Sequence, residues 1–164
     1  MAKIPRALDL AKLRRAARSA AARAYAPYSG FHVGAAIWTD IGLFTGANVE
    51  NASYGLTNCA ERSAIFAAVN AGARRLECVV VYTPTPGAAA PCGACRQVIH
   101  EFGPEARVLS CCDGAEQIDT VIGALLPGAF GPADLGIETA VHGAAAGGAA
   151  RAGKPAAKRA KKAS

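Results

Sequence analysis

The sequence predicts a three-layer α/β/α domain, and two observations carry that prediction. Strand-like runs and helical segments alternate through the middle of the chain. An apolar, β-branched run at 76–83 (LECVVVYT) stands between two of those helical segments, so strands sheltered by helices on both faces are expected.

The elements follow in order. Residues 7–25 read as an amphipathic helix, with Leu8, Leu10 and Leu13 on the apolar side and several arginines opposite. Pro27 and Ser29-Gly30 end it with a turn. FHVGAAIWT (31–39) and GLFTGANV (42–49) read as two strands, joined by a hairpin turn at Asp40-Ile41-Gly42. Residues 59–71 form a helix that stops near Asn70-Ala71-Gly72. LECVVVYT is a buried strand ending before Pro84, and the loop PTPGAAAP leads to a helix from Cys92 to about Phe102. Residues 107–111 and 117–122 are further strands, and LLPGAFGPADL is a loop followed by at most one helical turn.

The domain is expected to span residues 1–142. From Gly143 the composition collapses to Ala, Gly, Lys, Arg and Pro, with no acid, and residues 143–164 cannot bury apolar surface and are expected to be a disordered basic tail. Its lysines leave open weak, salt-sensitive binding to polyanions. The tail distorts the net charge of +6, because the rest of the chain is close to neutral. That near-neutrality argues against a dedicated nucleic-acid binder, which needs a basic face. Within the domain, residues 1–23 hold seven bases and one acid, so the first helix is expected to lie against an acidic body or a neighbouring subunit.

No apolar run approaches the roughly 18 residues of a membrane span. The start of the chain has no apolar segment or cleavage site of the secretory kind, and a cytoplasmic protein is expected. In that setting the six cysteines point to metal or redox chemistry rather than disulfides.

Two motifs carry the chemistry. In TNCAERSA (57–64), Asn58 is a good N-cap and Glu61 falls three residues later, so on that stretch alone a capping box is the stronger reading. PCGACRQ (91–97) divides evenly between a redox pair and a metal site. Together they shift the balance. Cys59, Cys92 and Cys95 each fall in the first turn of a helix, where side chains tilt toward the N-terminus and the helix dipole favours thiolates. Pro91 suits a helix start. Three protein ligands on zinc leave a fourth position for water, the arrangement of a catalytic site. Glu61, about 200° from Cys59 around a helix, reaches the same point only by projecting past the helix end. Arg62 lies on the Cys59 side and is the candidate to offset the excess negative charge of three thiolates, although an exposed helix arginine is an equal reading.

With these motifs in hand the sequence resembles the small, homotetrameric cytidine deaminases. The zinc signature is Cys59-Ala60-Glu61 with Pro91-Cys92-Gly93-Ala94-Cys95. Further matches are YAPYSGFHVGAA (25–36), NVENASY (48–54) and LLPGAFGPADL (125–135), so the likeness runs from about Leu8 to Leu135. The resemblance implies an α/β/α fold with a mixed five-stranded sheet, one Zn²⁺ per subunit and hydrolytic deamination of cytidine and 2′-deoxycytidine to the uridines with release of ammonia. It implies Glu61 as the proton carrier and Cys59, Cys92 and Cys95 as the zinc ligands. Phe31 would pack on the pyrimidine, Asn48 and Glu50 would hydrogen-bond the ribose 3′-hydroxyl, and the Ala60 N–H would bind the base carbonyl. Tyr54 and Phe130 would reach into a neighbour's pocket in a homotetramer with shared sites. From the residues alone, Phe31 reads equally as core and Asn48 as a turn residue. The nearest rival is a deaminase of another cytosine-containing small molecule such as blasticidin S, and a thiol–disulfide protein is a third reading.

Overall fold

The computed structural model describes residues 8–139 and 141. The chain runs α1 (Leu10–Ala21), β1 (Gly34–Thr39), β2 (Gly42–Ala47), a 3-10 turn (Tyr54–Leu56), α2 (Ala60–Asn70), β3 (Leu76–Thr83), α3 (Gly93–Phe102), β4 (Arg107–Cys112), β5 (Gln117–Val121), the single turn α4 (Ile122–Leu125) and a 3-10 turn at Pro132–Leu135. The five strands form one sheet in the order β2-β1-β3-β4-β5. β3 and β4 are parallel and the other neighbours antiparallel, so the sheet is mixed, as expected.

The strand register sorts side chains into two cores. Cys78, Val80 and Tyr82 of β3 face α1 with Ala36 and Leu109, packed on Leu13, Ala17 and Ala21. Val79 and Val81 point the other way with Ala35, Ile37 and Val108, toward Ala60, Ala64, Ile65 and Ala68 of α2 and Ile99 of α3. This period-two division of one apolar run is what a strand buried on both faces requires. Two glycines let the helices lie close. A Cβ on Gly34 would sit 2.0 Å from the Ala17 carbonyl oxygen of α1, and one on Gly46 would sit 2.4 Å from the Ala64 nitrogen of α2.

The first helix is shorter than expected at both ends. The Asp9 side chain accepts from the Lys12 N–H and caps it, and Ala22 closes it. Of the arginines in and just after it, Arg18 meets an acid, Asp113, at 2.9 Å, while Arg14 donates to Gln117 and Arg23 to Thr45. An exposed ion pair contributes at most about 1 kcal/mol. Fully burying a leucine such as Leu13 contributes about 1.5–3 kcal/mol, so the apolar stripe holds α1 in place and the charges decorate it. No helix of the described residues is long and apolar enough to cross a membrane. The tail expected at residues 143–164 lies outside the described residues.

Candidate active site

β3 ends at Thr83, and the chain returns through the 84–92 loop into α3. α2 starts beside that loop. Cys59 and Cys92 are the N-caps of α2 and α3, and Cys95 lies in the first turn of α3. The capping box expected in TNCAERSA is not formed. Cys59 takes the cap position, without a side-chain cap hydrogen bond, and Asn58 donates instead to the Ser63 hydroxyl at 3.1 Å. The helix therefore starts one residue later than a capping asparagine would set it, which frees the sulfur and the carboxylate to project beyond its end.

The three sulfurs lie within 4.8 Å of one another, with Cys59 and Cys92 Sγ 3.7 Å apart. Zinc–sulfur bonds of about 2.3 Å in a tetrahedron put sulfurs about 3.8 Å apart, so the pair is already spaced for one ion. The donor set is chemically ready as well. A hydrogen bond from the Cys95 thiol, with further bonds from Arg62 and Cys92, lowers Cys59 to about 5. Cys95 is pushed up by the same contact and by burial, so the proton stays on the more enclosed sulfur. These residues fit one Zn²⁺ per chain, and no fourth protein ligand joins the cluster among the described residues.

Arg62 takes the place expected of it: its Nη2 donates to Cys59 Sγ at 3.4 Å and to the Thr57 carbonyl at 3.3 Å. The contact to Cys59 also holds the guanidinium charged more firmly. Glu61, in the first turn of α2, is 4% exposed, and burial raises its carboxyl above the ordinary range, with the charge of Cys59 adding. A raised carboxyl beside a thiolate cluster is suited to taking up and giving back a proton.

A cavity of about 260 Å³ opens over this cluster and includes Cys59, Ala60, Glu61 and Cys92 among its walls. Ser29, Phe31, Asn48 and Glu50 also line it. Asn48 is buried, and its amide donates to the Phe31 carbonyl and accepts from the Val33 N–H, both at 2.8 Å. It thus ties the Phe31–Val33 backbone to the strand-end segment that continues into Glu50. The Glu50 carboxylate accepts from the Ser29 hydroxyl and from the Tyr28 and Ser29 N–H groups, and these bonds hold it below the usual carboxylate range. Ala60 is the first residue of α2, and the first N–H groups of a helix have no intrahelical acceptor.

Two expected residues stand apart from the cavity walls. Tyr54 is 73% exposed, with its ring 5.8 Å from that of Tyr28, and Phe130 is 58% exposed on a loop whose carbonyl accepts from Gln97. Ser29, Thr57, Thr83, Ala89 and Ala90 line the cavity without having been singled out in the sequence. Only Ser29 carried a signal, as a hydroxyl beside a turn glycine and Phe31, and it was taken as part of the turn.

The comparisons with known proteins agree with this arrangement. The family model for the cytidine and deoxycytidylate deaminase zinc-binding region matches residues 9–111. A cytidine deaminase of Sporosarcina psychrophila is 44% identical over 139 residues, spanning 78% of this chain and 96% of the relative. One from Mycobacterium tuberculosis is 43% identical over 129 residues, 78% of this chain and 94% of the relative. The crystal structure of cytidine deaminase from Burkholderia pseudomallei superposes with a TM-score of 0.72 at 49% identity, covering 75% of this chain and all of that one. With its cysteine cluster, its buried glutamate and the mixed sheet that seats them, the chain belongs to the cytidine and deoxycytidylate deaminase family.

Proposed function

We propose that the chain catalyses the hydrolytic deamination of cytidine and 2′-deoxycytidine to uridine and 2′-deoxyuridine, releasing ammonia. The observation that carries this is one cavity lined by the buried Glu61, by Cys59 and Cys92 of the three-cysteine cluster, and by Phe31, Asn48 and Glu50. The family includes enzymes of nucleotides as well as nucleosides. The cavity walls favour a neutral nucleoside, because among the described residues they carry Glu50 and Glu61 and no Lys, Arg or His to meet a phosphate.

Zinc held by Cys59, Cys92 and Cys95 supplies the Lewis acidity that makes a water nucleophilic near neutral pH. Arg62 stabilises the charge on Cys59. Phe31 packs on the pyrimidine, and the Ala60 N–H receives the base carbonyl oxygen. Asn48 and Glu50 receive the ribose 3′-hydroxyl. Glu61 takes a proton from the attacking water and delivers it to ring N3. It then carries the second proton to the amino group, which leaves C4 as ammonia while the water oxygen stays as the uracil carbonyl. One carboxylate acts as base and then acid, a role its raised pKa suits.

A homotetramer in which each pocket is closed by a neighbour's Tyr54 and Phe130 follows from the likeness at residues 48–54 and 125–135, and both rings are exposed as that arrangement requires. A cytoplasmic location and a catalytic domain of residues 1–142 followed by an accessory tail complete the reading. The test is ultraviolet absorbance with cytidine, 2′-deoxycytidine and deoxycytidylate, beside a zinc determination. Turnover of both nucleosides with little of the nucleotide is expected, and no change with either nucleoside at one zinc per chain would overturn the assignment.

A further inference from the structure

We propose that Ser29 is a positioning residue for the sugar end of the cavity: its hydroxyl sets the Glu50 carboxylate to receive the nucleoside's 3′-hydroxyl. The inference rests on the reading of Glu50 given under the proposed function.

The geometry leaves the hydroxyl one arrangement. A serine hydroxyl has one proton to give and lone pairs to receive with. The Phe31 N–H donates to Ser29 Oγ at 3.0 Å, which engages its acceptor side. Its proton is then directed to Glu50 Oε1, an atom that can only accept while the carboxylate is ionised. The two oxygens of Glu50 are held differently. Oε2 receives the backbone N–H groups of Tyr28 at 2.9 Å and Ser29 at 3.2 Å, bonds that no side-chain substitution removes. The Ser29 hydroxyl is the donor to Oε1, and that oxygen keeps room to accept one more hydrogen. The Asn48 amide bonds the Phe31 carbonyl and the Val33 N–H rather than Glu50, and its second N–H and second lone pair stay available to the 3′-hydroxyl.

Without the Ser29 hydroxyl, Glu50 stays tethered at Oε2 and is free to pivot about it. The cost falls on binding the sugar, and the atoms at the cysteine end are untouched. The same hydroxyl joins the residue that faces the base, Phe31, to the residue that faces the ribose, so a single side chain sets both against one another.

The test compares Ser29→Ala and Ser29→Thr with the unsubstituted protein, using cytidine and 2′,3′-dideoxycytidine, which lacks the 3′-hydroxyl. For Ser29→Ala, KM for cytidine is expected to rise about tenfold with kcat within about twofold, the scale of one hydrogen bond to a charged group. The dideoxynucleoside is expected to lose much less, and Ser29→Thr to recover most of the cytidine KM. An unmoved KM, or equal losses on both substrates, would overturn the role of Ser29 while leaving the deaminase reading intact. Absence of cytidine turnover in the unsubstituted protein would overturn that reading and the Ser29 role with it.

Discussion

Cys59 Sγ and Cys92 Sγ lie 3.7 Å apart, although 33 residues separate them in the chain. Both are N-caps, so two helices end on one point, and the thiolate charge is shared between two sets of unpaired N–H groups. That convergence separates a metal site from a redox pair, because a CxxC alone would leave Cys59 without a purpose.

Metal content follows the cluster. The protein as purified is expected to hold one zinc per chain by elemental analysis, and Cys59→Ser, Cys92→Ser or Cys95→Ser to hold well under half of that. Full zinc retention by Cys59→Ser would contradict a three-cysteine site.

Glu61 is expected to separate activity from stability. Glu61→Gln should lose at least about 100-fold in kcat, the scale of general acid–base catalysis, while keeping its zinc. Because burial raises the folded-state pKa, ionised Glu61 opposes folding. Its favourable contribution is complete below the ordinary value of 4.5 and is lost as pH rises through the folded value. Thermal unfolding of chelator-treated samples should therefore show no difference near pH 4, and Glu61→Gln the more stable form above neutrality. A lower melting temperature for the variant at pH 8 would refute this.

Cysteine reactivity gives a second pH test. With Cys59 near 5 and Cys78 pushed up to about 11 by burial, iodoacetamide at pH 6.5 should label Cys59 well before Cys78 in the chelator-treated protein. Arg62→Gln removes one of the donors to that thiolate and should slow the labelling. Equal rates at the two sulfurs, read by mass spectrometry, would count against the proton distribution described above.

Gly46 is expected to tolerate nothing larger. A Cβ there meets the Ala64 nitrogen at 2.4 Å and the Ala60 carbonyl oxygen at 2.5 Å, both backbone atoms that cannot swing aside. Gly46→Ala should cost about 1–3 kcal/mol, the usual scale for overpacking, in urea unfolding. A midpoint unchanged from the parent would mean that α2 yields more easily than its packing implies.

Much of this was legible in the residues. The strand at 76–83 lies within the bounds its composition sets, because Pro84 stops it and burial on both faces leaves no helical period. The zinc cysteines were legible as a pair of motifs, since two short spacings at helix starts determine most of the geometry. Asn58 was misread because a capping asparagine and a capping cysteine differ by one residue, and in the structure Asn58 is engaged with the Ser63 hydroxyl instead. The shorter α1 reflects a local competition in which Asp9 caps the helix after Leu8. Ser29 was hidden in a turn, where a hydroxyl is ordinary until the partner 21 residues away is known. Tyr54 and Phe130 were singled out through likeness, and the structure places both rings exposed and apart from the cavity walls.

The bare backbone at Gly46 has a consequence for the size of ligand the pocket can take. The chain leaves β2 one residue after Gly46 and continues through Asn48 to Glu50, and α2, resting on that glycine, begins with Ala60 and Glu61. One contact between helix and strand is therefore the gauge block of the cavity, setting how far Glu61 stands from Glu50. Trimming Phe31 or enlarging the room beside Ala89 would enlarge the cavity while leaving that contact unchanged. A redesign for a longer substrate would have to move the helix itself, and the place to begin is the one position where it has no side chain to stand on.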